Sequence, residues 1–194
     1  MHVNKGERTK NYIIEQSSSL FNMQGYKTTS ISDIMNATGL KKGGIYNHFE
    51  NKESLAEASF LHSMNTLKEH YIHAVCEKNT ACEQFDEFIN VFRTLLHDQF
   101  IQGGCPLMNA AIEADDSMIE FKDTIKDGFN GLIHLIANII QHGQIRNEIN
   151  KDIHPDQMAV FILSSLEGSL ALSRLNRDKK YLEMIIKQLK KMLF

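Results

Sequence analysis

Apolar positions recur along this chain at helical spacings of three and four residues, and no convincing period-two alternation of a half-buried strand occurs. Ile13, Ile14, Ser17, Leu20 and Phe21 share one face of a segment from about Glu7 to Gln24, which Gly25 ends. Ile31, Ile34 and Met35 form a short second stripe. Thr29 or Ser30 can cap it, and Asp33 falls in its first turn, where negative charge suits the helix dipole. Gly39 supplies the tight turn into a third helix, KKGGIYNHF. From Asn51, a candidate cap, a much longer pattern through Leu55, Ala58, Ser59, Leu61, His62, Asn65, Leu67 and His70 runs to about Cys76. Further helices are predicted over Ala81 to Phe100, Pro106 to Ala114, Met118 to about Ile145, Pro155 to Leu175 and Asp178 to Phe194. Pro106 and Pro155, the two prolines, stand at helix starts, where a missing N–H does no harm.

The pattern therefore predicts an all-α protein. With 42% apolar and 23% charged residues in 194, the chain can bury a core and is far from a disordered composition. It has no uninterrupted apolar run of about 18 residues, and MHVNKGERTKNY lacks the apolar centre of a secretory signal, so a cytoplasmic address is expected. Cys76, Cys82 and Cys105 fit no paired zinc or secreted disulfide spacing and are read as reduced thiols. The net charge of −3 hides an asymmetry. Residues 1–55 carry seven lysines and arginines against five acids, and the remainder fourteen against nineteen. A mildly basic head on an acidic body suits a protein that touches phosphate with one end.

Two short helices joined at Gly39 describe a helix-turn-helix, whose second helix enters the DNA major groove, although an ordinary αα-hairpin has the same spacing. Residues 20–55 also resemble the DNA-binding signature of the TetR family of transcriptional regulators. The matching positions are Leu20-Phe21, Gly25-Tyr26, Thr29-Ser30, Asp33-Ile34, Ala37, Gly39, Lys42-Gly43, Ile45-Tyr46, His48-Phe49, Lys52-Glu53 and Leu55. That resemblance implies an N-terminal three-helix DNA-binding head, residues 1–50, and a C-terminal helical domain for ligand and dimerisation, residues 51–194. It implies a homodimeric repressor on a palindromic double-stranded operator, released by a small-molecule inducer. By the same resemblance Tyr46, His48 and Lys52 are donors to the phosphate backbone, which position the protein without reading sequence. Lys42 and Gly43 open the third helix with free N–H groups, and Gly44 permits close approach. Thr29 and Ser30 combine capping with a phosphate contact. Lys41 departs from the small hydroxyl residue common in the family. It either reads guanine or adds salt-dependent affinity, and Asn47 either pairs with adenine or is solvated.

The stretch from Met158 to Leu175 is apolar nearly all round and must be covered on more than one side. With the final helix it is expected, as in the family, to build a four-helix dimer interface through Phe161, Ser165, Gly168, Leu172, Ile185, Leu189 and Met192; an internal monomer core is the alternative. Phe60, Met64, Phe88, Phe92, Cys105, Met108 and Phe129 supply the soft, aromatic walls of a small-molecule pocket, or simply core. Cys105 before Pro106 falls at a helix N-cap, where the dipole stabilises a thiolate: either an inducer-sensing point or a small buried hydrophobe. His70, His73 and Glu77 on one helix are read as exposed residues rather than a metal site, and Asp115-Asp116 as solvated. No cofactor is expected. No paired carboxylates, Ser-His-Asp set, phosphate loop or HExxH helix suggests an enzyme, and no membrane partner is expected. A transcriptional activator or a nucleoid-type protein without a ligand are the alternatives.

Overall fold

A computed structural model of the chain describes residues 4–117 and 121–194, with backbone alone for 115–117. Its helices are α1 (Lys5–Gln24), α2 (Ile31–Thr38), α3 (Lys42–Tyr46), α4 (Lys52–Cys76), α5 (Ala81–Thr94), α6 (Pro106–Ser117), α7 (Lys122–Ile145), α8 (Pro155–Asn176) and α9 (Lys180–Leu193). No strand occurs among the described residues, and the fold is the all-helical one the periodicity predicts. The expected α7 start at Met118 and the side chains of Asp115 and Asp116 lie outside the described residues.

The helices group into two compact units, one of Met1–Thr66 with Ile101–Ile125, the other of Leu67–Phe100 with Lys126–Phe194. The first unit is thus not continuous in sequence: α6 joins α1, α2, α3 and the start of α4. Ile13, Phe21, Ile34, Ile45, Leu55 and Phe60 are shut off from solvent here. Each such side chain contributes about 1.5–3 kcal/mol by burial. Phe21 stacks on Tyr26 with ring centroids 5.3 Å apart, and Phe60 meets Phe121 edge-on at 4.6 Å.

In the second unit α5 turns Phe85, Phe88, Ile89 and Phe92 inward, and Tyr71 stacks on Phe88 at 4.7 Å. Helices α8 and α9 form a hairpin closed by Arg177 in the left-handed region (φ 51°), and the Ser173 hydroxyl accepts from the Leu182 N–H at 2.9 Å. Arg93 of α5 donates two hydrogen bonds to Glu183 of α9, at 2.8 and 2.7 Å, and Lys190 pairs with Asp86.

Two expectations are corrected in this unit. Helix α5 ends at Thr94, not Phe100, because Arg174 donates to the Leu95 carbonyl at 2.9 Å, and Asp98, which Arg174 also holds, takes a left-handed conformation (φ 52°). Leu189, assigned to a dimer surface, is 1% exposed and belongs to the chain's own core. Helix α8 is long and apolar enough by composition to cross a membrane, with 44% of its most apolar window buried inside the protein. Its buried positions are Ala159, Ile162, Leu163, Leu166, Glu167, Ser169, Leu170 and Ser173, whereas Phe161, Gly168 and Leu172 are exposed.

Candidate nucleic-acid interface

Local sequence chemistry fixes the head. Ser30 and Asp33 form a reciprocal capping box at the start of α2: the Asp33 N–H donates to the Ser30 hydroxyl at 3.2 Å, and the Ser30 N–H to the Asp33 carboxylate at 2.8 Å. The Ser30 hydroxyl also donates to that carboxylate at 2.6 Å, and this bond, with the one from the Ser30 N–H, holds the Asp33 carboxyl below its ordinary pKa. Gly39 ends α2 in the left-handed region at φ 70°, which only glycine adopts at little cost. The turn delivers the chain into α3, whose apolar Ile45 is fully buried and whose opposite side is outward.

Lys41, Lys42, Gly43, Tyr46 and Asn47 are exposed on that outward side, with Gly44 and His48 half-buried beside them. The Lys42 ammonium lies 5.7 Å from the centre of the Tyr46 ring. A Cβ added at Gly43 would meet nothing within 4 Å, and one at Gly44 only Leu40 at 3.7 Å. The fold itself therefore does not require glycine at either place. Absent side chains leave α3 open to close approach from outside.

Thr29 and Lys52 are placed differently from the outward donors. Thr29 is fully buried and its hydroxyl donates to the Gly25 carbonyl at 2.7 Å, while Ser30 is exposed. Lys52, at the start of α4, directs its ammonium to the carbonyls of Tyr26, Lys27 and Thr29 at 3.0, 3.1 and 3.0 Å. Its charge thus holds the α1–α2 connector. Asn51 caps α4 as expected, accepting from the Ser54 N–H at 2.7 Å. Sequence reasoning missed Asn22, Asn109 and Glu113, which hold the other side of the connector. No local signal points to partners more than 80 residues away.

The seven residues expected to line a ligand pocket are divided between the units. Phe60, Met64, Cys105 and Met108 lie in the first and Phe88, Phe92 and Phe129 in the second. Phe60, Phe88 and Phe92 are fully buried, Cys105 is 3% exposed, and Met64, Met108 and Phe129 are half-buried. A cavity of about 500 Å³ in the second unit is lined instead by Leu96, His97, Asp98, Ser173, Arg174, Arg177, Asp178 and Lys179. Of the expected dimer residues, Phe161, Gly168, Leu172 and Met192 are exposed and Ser165 and Ile185 half-buried. His70 stacks on Phe100 and exposed His73 pairs with Glu77 at 3.9 Å; among the described residues no three potential ligands converge on a metal site.

A two-helix element with a glycine turn, an outward basic second helix and a helical body defines a helix-turn-helix DNA-binding protein. Residues 13–59 match the family model described as "Bacterial regulatory proteins, tetR family", and residues 81–189 match "Tetracyclin repressor-like, C-terminal domain". The chain belongs to the TetR family of transcriptional regulators. It is similar to the HTH-type transcriptional repressor DhaR of Mycobacterium sp. (strain GP1), 23% identical over 91% of this chain and 88% of the relative. Among solved structures it resembles a TetR transcriptional regulator from Chloroflexus aurantiacus J-10-FL, with a TM-score of 0.90, 34% identity, and coverage of 96% and 94%. A cysteine mutant of CifR, complexed with 26 bp double-strand operator DNA, shares the fold at a TM-score of 0.77 and 17% identity, covering 93% and 94%.

Proposed function

We propose that the protein is a ligand-responsive transcriptional repressor that binds a near-palindromic operator as a homodimer and is released by a small-molecule inducer. Residues 1–50 act as the DNA-binding head and 51–194 as the ligand and dimer domain, in the cytoplasm, without catalysis. The open α3 surface carries this reading: Lys41, Lys42, Tyr46 and Asn47 are outward, and Gly43 and Gly44 stand where the fold asks for no glycine. Lys41, Lys42, Tyr46 and His48 hold phosphate or base edges. Thr29, Ser30 and Lys52 act by fixing the connector and the start of α2.

A dimer is supported by the outer face of α8, where Phe161 is 48% and Leu172 49% exposed and Gly168 lies between them at helical spacing. On α9 Met184 is 67% exposed. Such a contiguous apolar face on a protein surface marks an interaction site. A two-fold dimer would place two α3 helices in successive major grooves about 34–36 Å apart. The name of the related DhaR supports repression. The inducer contacts are assigned to Phe60, Met64, Phe88, Phe92, Cys105, Met108 and Phe129.

Selection of a bound duplex from random-sequence DNA, followed by competition against unselected DNA, tests the reading. A near-palindromic winner that binds at least about 10³-fold tighter than unselected duplex is expected of a specific repressor. Equal binding to every duplex would instead identify a nucleoid-type protein.

A further inference from the structure

The connector between α1 and α2 has a difficult backbone problem. Gly25 makes the last helical bond of α1, its N–H donating to the Phe21 carbonyl at 2.9 Å. The next two N–H groups, of Tyr26 and Lys27, have no helical acceptor. Both are taken by one side chain from 86 residues further on. Glu113 Oε1 accepts from the Tyr26 N–H at 3.0 Å and Oε2 from the Lys27 N–H at 2.9 Å. Charge-assisted bonds of this two-pronged kind carry geometric specificity as well as energy. Gly25 makes room for them: at φ +94°, a Cβ there would sit 2.8 Å from Glu113 Oε1.

One turn earlier on α6, Asn109 addresses the end of α1. Its amide donates to the Asn22 carbonyl at 3.1 Å, the Asn22 Oδ1 at 3.0 Å and the Gly103 carbonyl at 3.0 Å. Asn22 in turn donates to the carbonyls of Gln102 and Gly104, at 2.5 and 3.1 Å. The approach is close enough that a Cβ at Gly103 would lie 2.8 Å from the Asn22 carbonyl oxygen. On the opposite polarity, Lys52 binds the connector's carbonyls. The Tyr26 and Lys27 N–H groups therefore go to α6 and the Tyr26, Lys27 and Thr29 carbonyls to α4, and three residues after Lys27 the chain caps α2 at Ser30.

We propose that Glu113 is a positioning residue for DNA recognition: its carboxylate, braced by Asn109, sets the α1–α2 connector and with it the placement of α2 and α3. Residues 109 and 113 fall within the segment matched by the regulatory-domain family model, yet they are built into the DNA-binding unit. Sliding or turning α6 by a fraction of a turn breaks the two bonds to consecutive amides, so α6 acts on the head directly, at the connector. The inference rests on α2 and α3 being the DNA-reading element and not on any inducer.

The test compares full-length wild type, Glu113→Gln, Glu113→Ala and Asn109→Asp. Each is assayed against a duplex selected by the wild type from random-sequence DNA and against unselected duplex, with amide exchange at Tyr26 and Lys27 followed in the free proteins. Glutamine keeps one acceptor and turns an NH2 toward the second amide, so a loss of about threefold to tenfold on the selected duplex is expected. Alanine should lose tenfold or more. Asn109→Asp places an acceptor among three acceptors and should resemble alanine. In all three, binding to unselected duplex should hold and exchange at Tyr26 and Lys27 should quicken. Equal losses on both duplexes with a lower melting temperature would make Glu113 merely structural and overturn the proposal, as would wild-type discrimination in Glu113→Gln and Glu113→Ala. Unquickened exchange at both amides would also overturn it. A wild type that selects no duplex fails the repressor reading and refutes the positioning role with it, while quickened exchange in the variants would still mark the bonds as real.

Discussion

The ammonium of Lys52 stands 3.0 Å from the carbonyl oxygen of Thr29, and two further carbonyls of the connector share it. Removing that donor leaves three acceptors to find water, a cost of about 1–3 kcal/mol. Lys52→Met should thus lower the melting temperature and weaken binding to the selected duplex more than to unselected duplex, while leaving the slope of log affinity against log salt nearly unchanged. Lys42→Ala, by contrast, should leave melting unaltered and reduce that slope by about 1.8, roughly 0.9 for each of the dimer's two copies. Titrations at several salt concentrations check both; a comparable loss of slope in Lys52→Met would return its charge to the phosphate backbone.

Gly168 offers a clean probe of the dimer, because a Cβ there meets nothing within 4 Å in the single chain. Gly168→Arg should keep its helical circular dichroism, sediment as a monomer and lose operator binding together with the dimer. A monomer with full operator affinity would uncouple the two. Leu189→Arg should behave differently and unfold the chain, since Leu189 is 1% exposed; burying an unpaired charge costs several kcal/mol.

The Arg93–Glu183 pair gives stability a pH dependence. The hydrogen bonds from Arg93 hold the Glu183 carboxyl below its ordinary value despite its partial burial. A group whose folded pKa is depressed contributes stability above its unfolded value and loses it as pH falls through the folded value. Glu183→Gln should accordingly lower the melting temperature at neutral pH and narrow its gap to wild type as pH falls below the carboxylate range. Both side chains are more than a third exposed, which keeps the effect small and salt-sensitive.

Thiol chemistry separates the two accounts of Cys105. Cys76 and Cys82 are exposed, whereas Cys105 is buried at the start of α6. A disulfide reagent should titrate two thiols quickly and a third slowly, and Cys105→Ser should remove the slow phase alone. Fast reaction at Cys105 would favour the sensing role over that of a small buried hydrophobe.

Features decided within a few residues were legible in the sequence. Ser30 with Asp33, Asn51 with Ser54 and Gly39 in its left-handed turn satisfy backbone groups through partners at most four residues away, and Pro106 and Pro155 stand at the first turns of α6 and α8, where the missing N–H costs nothing. Their types and spacing fix the helix ends whatever the rest of the chain does. Only the tertiary structure decided what depends on distant partners. Helix α5 stops early because Arg174 takes the Leu95 carbonyl; Leu189 turns inward because the α8–α9 hairpin covers it. Lys52 faces three carbonyls more than 20 residues back, and Glu113 faces two amides 86 and 87 residues back. Periodicity gives the face on which a side chain leaves its helix, but a lysine or glutamate on such a face can meet solvent, phosphate or another backbone. Which of these it meets is set by the packing of the helices against one another.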